Sequence, residues 1–276
     1  PCSMADFKHN YDYEHGSCFI FNAFEKQYRK KTYKNDKYSG LRLLIYLGNN
    51  NHAFGNLGIY LVATDHRIEM SATKGIYLYP SMEHHVQIDK IVYEQEAKPY
   101  SDCVSDMDNL NKDQKKYYDI IRENNLTYSI STCKILCFQE SLIRKCGCVD
   151  PLSILKLSKD SKLCMNQQDL DCSIRGYIEY FGQLEIEKDE NCKYLCPIEC
   201  SRVRYDSSLT SLKMSNRFVS VLKDTIFKNS TQSIEELKNN ILLVDIYFRE
   251  LEYTLLKENP SLSLLQLVSN IGKQII

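Results

Sequence analysis

A chain of 276 residues with 43% apolar content is long enough for one large domain or two ordinary ones, each with a normal core. Lys and Arg total 35 against 36 Asp and Glu, so the charge is nearly balanced and gives no global reason to expect nucleic acid or an anionic membrane surface as partner. Twelve cysteines, a high and even number, indicate maturation in an oxidising compartment rather than the cytosol.

In chain order, the opening PCSMADFKHN has neither a charged n-region nor an apolar stretch, so it does not read as a signal peptide. Arg29, Lys30, Lys31 and Lys34, with Asn35 and Asp36 beside them, read as a solvated loop. Residues 39–98 carry strand signals in GLRLLIYL, LGIYLVA, KGIYLYP and VQIDKIVYEQ, separated by Gly, Asn, Pro and Ser, and form a β-rich block. His84 and His85 are adjacent there. In a strand they would face opposite sides and could not easily share a ligand, so they are taken as exposed loop residues.

Residues 103–228 hold most of the cysteines. Leu110, Tyr117, Tyr118 and Ile121 recur at helical spacing, as do Phe218, Val221, Leu222 and Thr225, so this block reads as helical hairpins tied by sulfur. Ser233 with Glu236 makes a capping box for the short helix IEELKNN. A strand, ILLVDIYFREL, follows at once, with Leu242, Val244, Ile246 and Phe248 on one face and Leu243, Asp245, Tyr247 and Arg249 on the other. The final PSLSLLQLVSNIGKQII is apolar nearly all round but stops short of the ~20 residues a membrane span needs. It reads either as a buried terminal helix or as a membrane helix cut at its first turns. Asn125 in NLT and Asn229 in NST are glycan acceptor sequons in polar stretches.

The sulfurs have three possible uses. Cys133, Cys137, Cys146 and Cys148 could offer four thiolates to zinc, but the spacing is not the usual C-x-x-C pair and an oxidising compartment favours disulfides. Catalysis is disfavoured: there is no nucleophile elbow, no H-E-x-x-H and no phosphate-cradling glycine loop, and the six histidines are scattered. No enzyme activity, resident metal or cofactor is expected. The third use is cross-bridging. Cys133 and Cys137 lie one helical turn apart, and Cys192 and Cys196 repeat the step. Pairing Cys133 with Cys196 and Cys137 with Cys192 keeps the sum of residue numbers constant, the mark of two antiparallel segments joined by successive rungs. Cys103 with Cys200 would close this ladder outside, and Cys146 with Cys172 and Cys148 with Cys164 would nest inside. Ten cysteines allow several hundred pairings, and spacing alone does not select among them.

GSCFIFNAF, GLRLLIYL, KGIYLYP, KPYSDC, YSISTCKILCFQESLIRKCGCVDP, CKYLCPIECSRVRY and LLVDIYFRELEYT, followed by LVSNIGKQ, occur in the order found in the degenerin/epithelial sodium channel family. The chain resembles that family over nearly its whole length. The resemblance implies the extracellular part of one subunit of a trimeric, sodium-selective, typically amiloride-blocked channel at the plasma membrane, and the nested pairing above is the family's. The implied fold is α+β: a hand-like channel ectodomain with a palm β-sheet, an inner β-ball and a disulfide-laddered helical thumb. The same resemblance assigns residues 1–38 to the end of the finger region and a palm strand, 39–98 to the β-ball and palm strands, and 99–230 to the cysteine-rich thumb. It assigns 231–240 to a short knuckle helix, 241–256 to a palm strand, and 257–276 to the wrist and the start of the second transmembrane helix.

Carried over by position, Cys2 and Cys18 would pair with cysteines outside this chain, making the sequence the middle of a longer protein whose pore helices lie elsewhere. Tyr100 stands where the family places an aromatic on top of the first membrane helix; the alternative is an ordinary packed ring. Gly272, Lys273 and Gln274 occupy a place where Gly-Gly-Gln is usual, which puts the Lys273 charge near the pore mouth. Between Pro80 and Pro99 the chain is shorter than the family's β-ball segment, so this member is pared down or residues are missing from the sequence. The Cys192 to Cys196 spacing is closer to the epithelial branch than to the acid-sensing one. Implied partners are two further subunits, identical or different, sodium ions, the membrane through flanking helices, and an extracellular ligand such as a peptide or protons; nucleic acid is not among them. The competing class is a secreted or membrane-tethered disulfide-rich binding module without channel activity.

Overall fold

The computed structural model describes residues 3–12, 16–22, 30–48, 58–64, 75–150, 155, 157, 161–179, 190–259 and 269. The chain divides into two compact units, one of Pro1–His66, Thr73–Ile91 and Arg204–Thr254, the other of Arg67–Ala72, Val92–Val203 and Leu255–Ile276. Both helix and strand are present, as an α+β class requires.

The first unit opens with a hairpin of β1 (Phe7–Asp12) and β2 (Gly16–Phe21), in register Phe7↔Phe21 to Asp12↔Gly16. Its framework is a four-stranded sheet containing β3 (Leu41–Tyr46). A small separate hairpin joins β4 (Ile59–Leu61) to β5 (Ile76–Leu78). The sheet continues with β6 (Met82–Glu94). Of the second unit, α1 (Lys112–Glu123), α2 (Ile130–Cys146), α3 (Gln167–Tyr177) and α4 (Glu190–Leu195) come next. Then follow β7 (Ser201–Lys213), α5 (Asn216–Thr225), α6 (Ile234–Asn240) and β8 (Ile241–Lys257), giving the sheet order β3-β8-β6-β7.

The central strand β8 organises the first unit because it is apolar on both faces where it begins. Ile241 and Leu243 pack with Met214, Val219, Leu222 and Leu237, the inner faces of α5 and α6. Leu242 and Val244 point the other way, into a cluster with Leu78 and Val86. The two-residue period thus serves two cores from one strand. The capping box read from sequence is present: Ser233 Oγ accepts from Glu236 N at 3.1 Å and Glu236 Oε2 accepts from Ser233 N at 2.7 Å. Gly40 stands where β3 meets β8, and a Cβ there would collide with the backbone oxygen of Ile246.

Several expectations are corrected. The block 103–228 is not wholly helical: β7 occupies thirteen of its residues. As an edge strand of sequence SRVRYDSSLTSLK, half exposed along its length, β7 lacks the apolar alternation that marks a buried strand. His84 and His85 lie inside β6 rather than in an exposed loop, which begins four residues before its apolar run; His84 is 1% exposed. Leu110 falls ahead of α1, whose start is set by Asn111 accepting from Asp113 N and Gln114 N. On α5 the buried face is Val219 and Leu222, while Phe218 and Val221 are exposed.

Asp245 is the one charge placed in the apolar start of β8. Its side chain is 0% exposed, and Arg42, its cross-strand partner on β3, meets it with two bonds, Nε to Oδ1 at 2.5 Å and Nη2 to Oδ2 at 2.7 Å. A bidentate guanidinium is the geometry that makes such burial tolerable. Arg42→Met is expected to lower unfolding free energy by about 3 kcal/mol, because it leaves a buried carboxylate uncompensated; adding Asp245→Leu should recover most of the loss. Urea denaturation of the two variants measures the difference, and equal stability of both would contradict the account.

Candidate functional site

The second unit is organised around α2. Ser129 caps it, its Oγ accepting from Thr132 N at 3.1 Å, and Gly147 ends it in the left-handed region at φ 69°. Arg144 and Lys145 occupy the last turn, where the helix dipole favours cations. The inward stripe contains Cys133, Leu136 and Cys137, which cluster with Tyr117 and Ile121 of α1 and with Leu155, Cys192 and Cys196.

Five disulfides occur among the described residues. Cys133 joins Cys196 and Cys137 joins Cys192, with Cα separations of 5.6 and 5.9 Å, so consecutive turns of α2 are stapled to α4 and to the residue just after it. Cys103 joins Cys200 at 4.9 Å, Cys146 joins Cys172 at 6.0 Å and Cys148 joins Cys164 at 5.1 Å. All ten of these sulfurs are bonded in pairs, which leaves none of them as a zinc thiolate. Beside the outermost bridge, Val104 N donates to Ile198 O at 2.8 Å and Cys200 N donates to Val104 O at 3.1 Å.

Two polar clusters support the ladder, and neither was found by sequence reasoning. Glu140 on α2 accepts from Lys116 Nζ at 2.8 Å and from Tyr117 OH at 2.5 Å, both on α1. Partial burial pushes this carboxyl up, but the two hydrogen bonds and the Lys116 charge outweigh it and hold the pKa below the ordinary value. At the start of α2, Glu199 accepts from Ile130 N at 3.1 Å, and Tyr128 OH donates to Pro197 O at 2.6 Å. Burial raises the pKa of both, and the Glu199 charge raises that of Tyr128 further. A Glu four or more residues from any sequence partner carries no signal of these contacts, since α1 and the 197–199 segment reach it only through the fold.

The remaining predicted residues are placed as follows. Tyr100 is 55% exposed on this chain. Its turn is well tied: Tyr100 N donates to Ala97 O at 3.1 Å, Ser101 Oγ to Glu96 O at 2.6 Å and Cys103 N to Ser101 Oγ at 3.3 Å. Asn125, just past α1, and Asn229, just past α5, are both exposed. Cys18 lies half-buried on β2. Cys2, Gly272, Lys273 and Gln274 lie outside the described residues, as does nearly all of the apolar C-terminal segment. No helix among the described residues is long and apolar enough to cross a membrane.

Comparison with known proteins adds the family. The profile described as amiloride-sensitive sodium channel matches residues 1–275. The chain is 26% identical over 288 residues to the epithelial sodium channel subunit beta of Bos taurus, covering 99% of this chain and 42% of that relative. It is 25% identical over 286 residues to the Homo sapiens beta subunit, with the same 99% and 42% coverage. Against the gamma subunit of Neoceratodus forsteri it is 25% identical over 275 residues, 95% of this chain and 39% of that relative. The chain therefore spans about two fifths of the length of these relatives.

Nesting changes what each bridge contributes. With its neighbours intact, Cys133–Cys196 closes a circuit of only about 10 residues, whereas Cys103–Cys200 closes one of about 35. Serine at both Cys103 and Cys200 should therefore cost about 1 kcal/mol more than serine at both Cys133 and Cys196, despite the more buried position of the latter pair. Guanidinium denaturation gives the comparison; the reverse order would show that packing rather than loop closure sets the cost.

The depressed carboxyl of Glu140 has a defined pH signature. Because its folded pKa lies below the ordinary 4.5, its contribution is present above that value and is lost as pH falls through the folded pKa. Glu140→Gln should flatten this part of the acid-stability profile while leaving the slope at neutral pH unchanged. Thermal unfolding between pH 3 and pH 7 is the measurement, and an unaltered acid slope would contradict the assignment.

Proposed function

The chain belongs to the amiloride-sensitive sodium channel family, a family of ion channels rather than enzymes, and on that premise we propose that it is the extracellular part of one subunit of a trimeric, sodium-selective channel. In this reading the chain senses an extracellular stimulus and couples it to a pore formed by segments outside the sequence. The observation that carries it is the family match over residues 1–275, supported by alignment of 99% of the chain to epithelial sodium channel beta subunits. The four-stranded sheet takes the part of the palm, the laddered helices that of the thumb, and two further subunits complete the trimer at the plasma membrane. Cys2 and Cys18 pair with cysteines in the preceding part of the subunit, Asn125 and Asn229 carry glycans, and Lys273 lies near the pore mouth.

The proposed mechanism follows from stiffness. A gate opens when an outside event favours one of two arrangements, and the stimulus contributes only its differential interaction with them. A helical layer cross-linked on successive turns transmits a displacement with little internal deformation, because α2 cannot slide against α4 without breaking covalent bonds. Tyr100 sits three residues before Cys103, on a turn held by three hydrogen bonds and anchored by the outermost bridge. An exposed aromatic on so rigid a base is suited to press on a neighbouring membrane segment, which is the coupling role we assign to it.

The full-length subunit, expressed alone or with epithelial beta and gamma relatives, is expected to yield an amiloride-blocked sodium current. Absence of hydrophobic spans on both sides and of any current at confirmed surface density would favour a secreted or tethered binding module instead. Tyr100→Ala should leave surface delivery intact yet reduce stimulated current about tenfold or more, while Tyr100→Phe keeps most of it. Surface labelling beside whole-cell recording separates the cases, and normal current from Tyr100→Ala at normal density would refute the coupling role.

A further inference from the structure

The charge row that begins with Arg42 and Asp245 continues onto a third strand. Glu83 and His85 are two residues apart on β6 and share a face, and β6 is the neighbour of β8 in the sheet. His85 Nδ1 lies 3.4 Å from Asp245 Oδ2, and His85 Nε2 lies 3.4 Å from Glu83 Oε1. These are too long for good hydrogen bonds, whose usual N to O distance is about 2.9 Å. Nδ1 is the only buried side-chain nitrogen or oxygen among the described residues without a hydrogen-bond partner. An imidazole nitrogen buried without a partner is costly unless something else occupies its lone pair.

We propose that Glu83, His85 and Asp245 form a binding site for a divalent transition-metal ion of the zinc type. One donor atom from each of the three lies within 4.8 Å of the others. Zinc bonds of about 2.0–2.1 Å to nitrogen and oxygen place tetrahedral ligands about 3.4 Å apart, which is the separation already held between Nδ1 and Asp245 Oδ2. The side chains of His85 and Asp245 are 12% and 0% exposed, so two ligands are preorganised and mostly dry. That of Glu83 is 30% exposed and stands beside Nε2, the other ring nitrogen; to join an ion at Nδ1 it would have to change rotamer, leaving the fourth position to water. One imidazole with two carboxylates favours zinc over calcium, which takes oxygen ligands.

Arg42 is the group that competes for this site, and it also orients it. Its guanidinium engages both oxygens of Asp245, but each carboxylate oxygen has a second lone pair, so Oδ2 can accept from Arg42 and still bind a cation. Ligating carboxylates are commonly held by such an outer hydrogen bond, and Arg42 fills that place. With Arg42 at +1, the two carboxylates at −2 and the imidazole neutral, the cluster carries a net negative charge before the ion arrives. A bound ion would pin β6 to β8 beside the two cores that β8 serves.

The test uses the full oxidised chain, with Co2+ as a spectroscopic probe and Zn2+ as competitor. Expected results are saturable visible absorption of tetrahedral Co2+, its displacement by Zn2+, and a rise of several degrees in Tm on adding Zn2+. His85→Gln should abolish saturable uptake. Glu83→Gln, at a partly exposed position where the fold should be unaffected, should weaken it about tenfold or more with an unchanged circular dichroism spectrum. Failure of the wild-type chain to take up either metal at micromolar concentration would overturn the proposal. So would wild-type affinity in both variants, and if His85→Gln does not fold, Glu83→Gln decides alone.

Discussion

The covalent constraint that α2 and α4 run antiparallel, rung against rung, is what the second unit depends on. Once Cys133–Cys196 and Cys137–Cys192 are closed, the register between the two helices cannot change by a turn. Contacts at the N-terminal end of α2 use this fixed register. Tyr128 can donate to Pro197 O, and Glu199 can accept the first amide of α2, only because the residues after Cys196 are delivered to the N-terminal end of that helix. Cys103–Cys200 then brings the Tyr100 turn to the same end. Hydrophobic packing of Tyr117, Ile121 and Leu136 fills the space the rungs define. The core is therefore small, and sulfur compensates for what burial alone would not supply.

The first unit is stabilised differently. No disulfide is found among its described residues, and its order comes from one strand buried on both faces. Leu242 and Val244 serve one core, Ile241 and Leu243 the other. A one-residue slip of β8 would exchange the two faces and bury nothing new, but it would also separate Asp245 from Arg42. The salt bridge thus specifies register where apolar residues on both sides do not. Covalent rungs resist large displacement, whereas a sheet held by packing and one charge row yields more gradually.

Three buried or half-buried carboxylates each have a partner of defined geometry. Asp245 has the bidentate fork of Arg42, Glu140 has an ammonium and a phenol, and Glu199 has a helix N-terminus. These pairs sit at the joints between elements, β3 with β8, α1 with α2, and the 197–199 segment with α2. They hold orientation where apolar contacts are permissive about angle. His85 departs from the pattern: its buried Nδ1 makes no hydrogen bond, and the nearest carboxylate oxygen, Asp245 Oδ2, stands 3.4 Å away.

Local signals in the sequence were sufficient for the elements whose physics is local. The capping box at Ser233 and Glu236, the strand that follows at Ile241, the turn-length step between Cys133 and Cys137, and the family motifs all depend on residues a few positions apart, and all were legible. The edge strand β7 was not, because a half-exposed strand has no apolar alternation to display, and the buried start of β6 was obscured by two polar histidines. On α5 the helix was legible but its inward face was not, because Phe218 and Val219 are both apolar and only the position of β8 decides which one is covered. Spacing suggested an antiparallel ladder without choosing among several hundred pairings; the family resemblance supplied the full nested set, and all five of its bridges are present. The tertiary fold alone decides which carboxylates are buried beside which cations and which face of α5 is covered, because each of these depends on residues tens to hundreds of positions apart brought within a few ångströms.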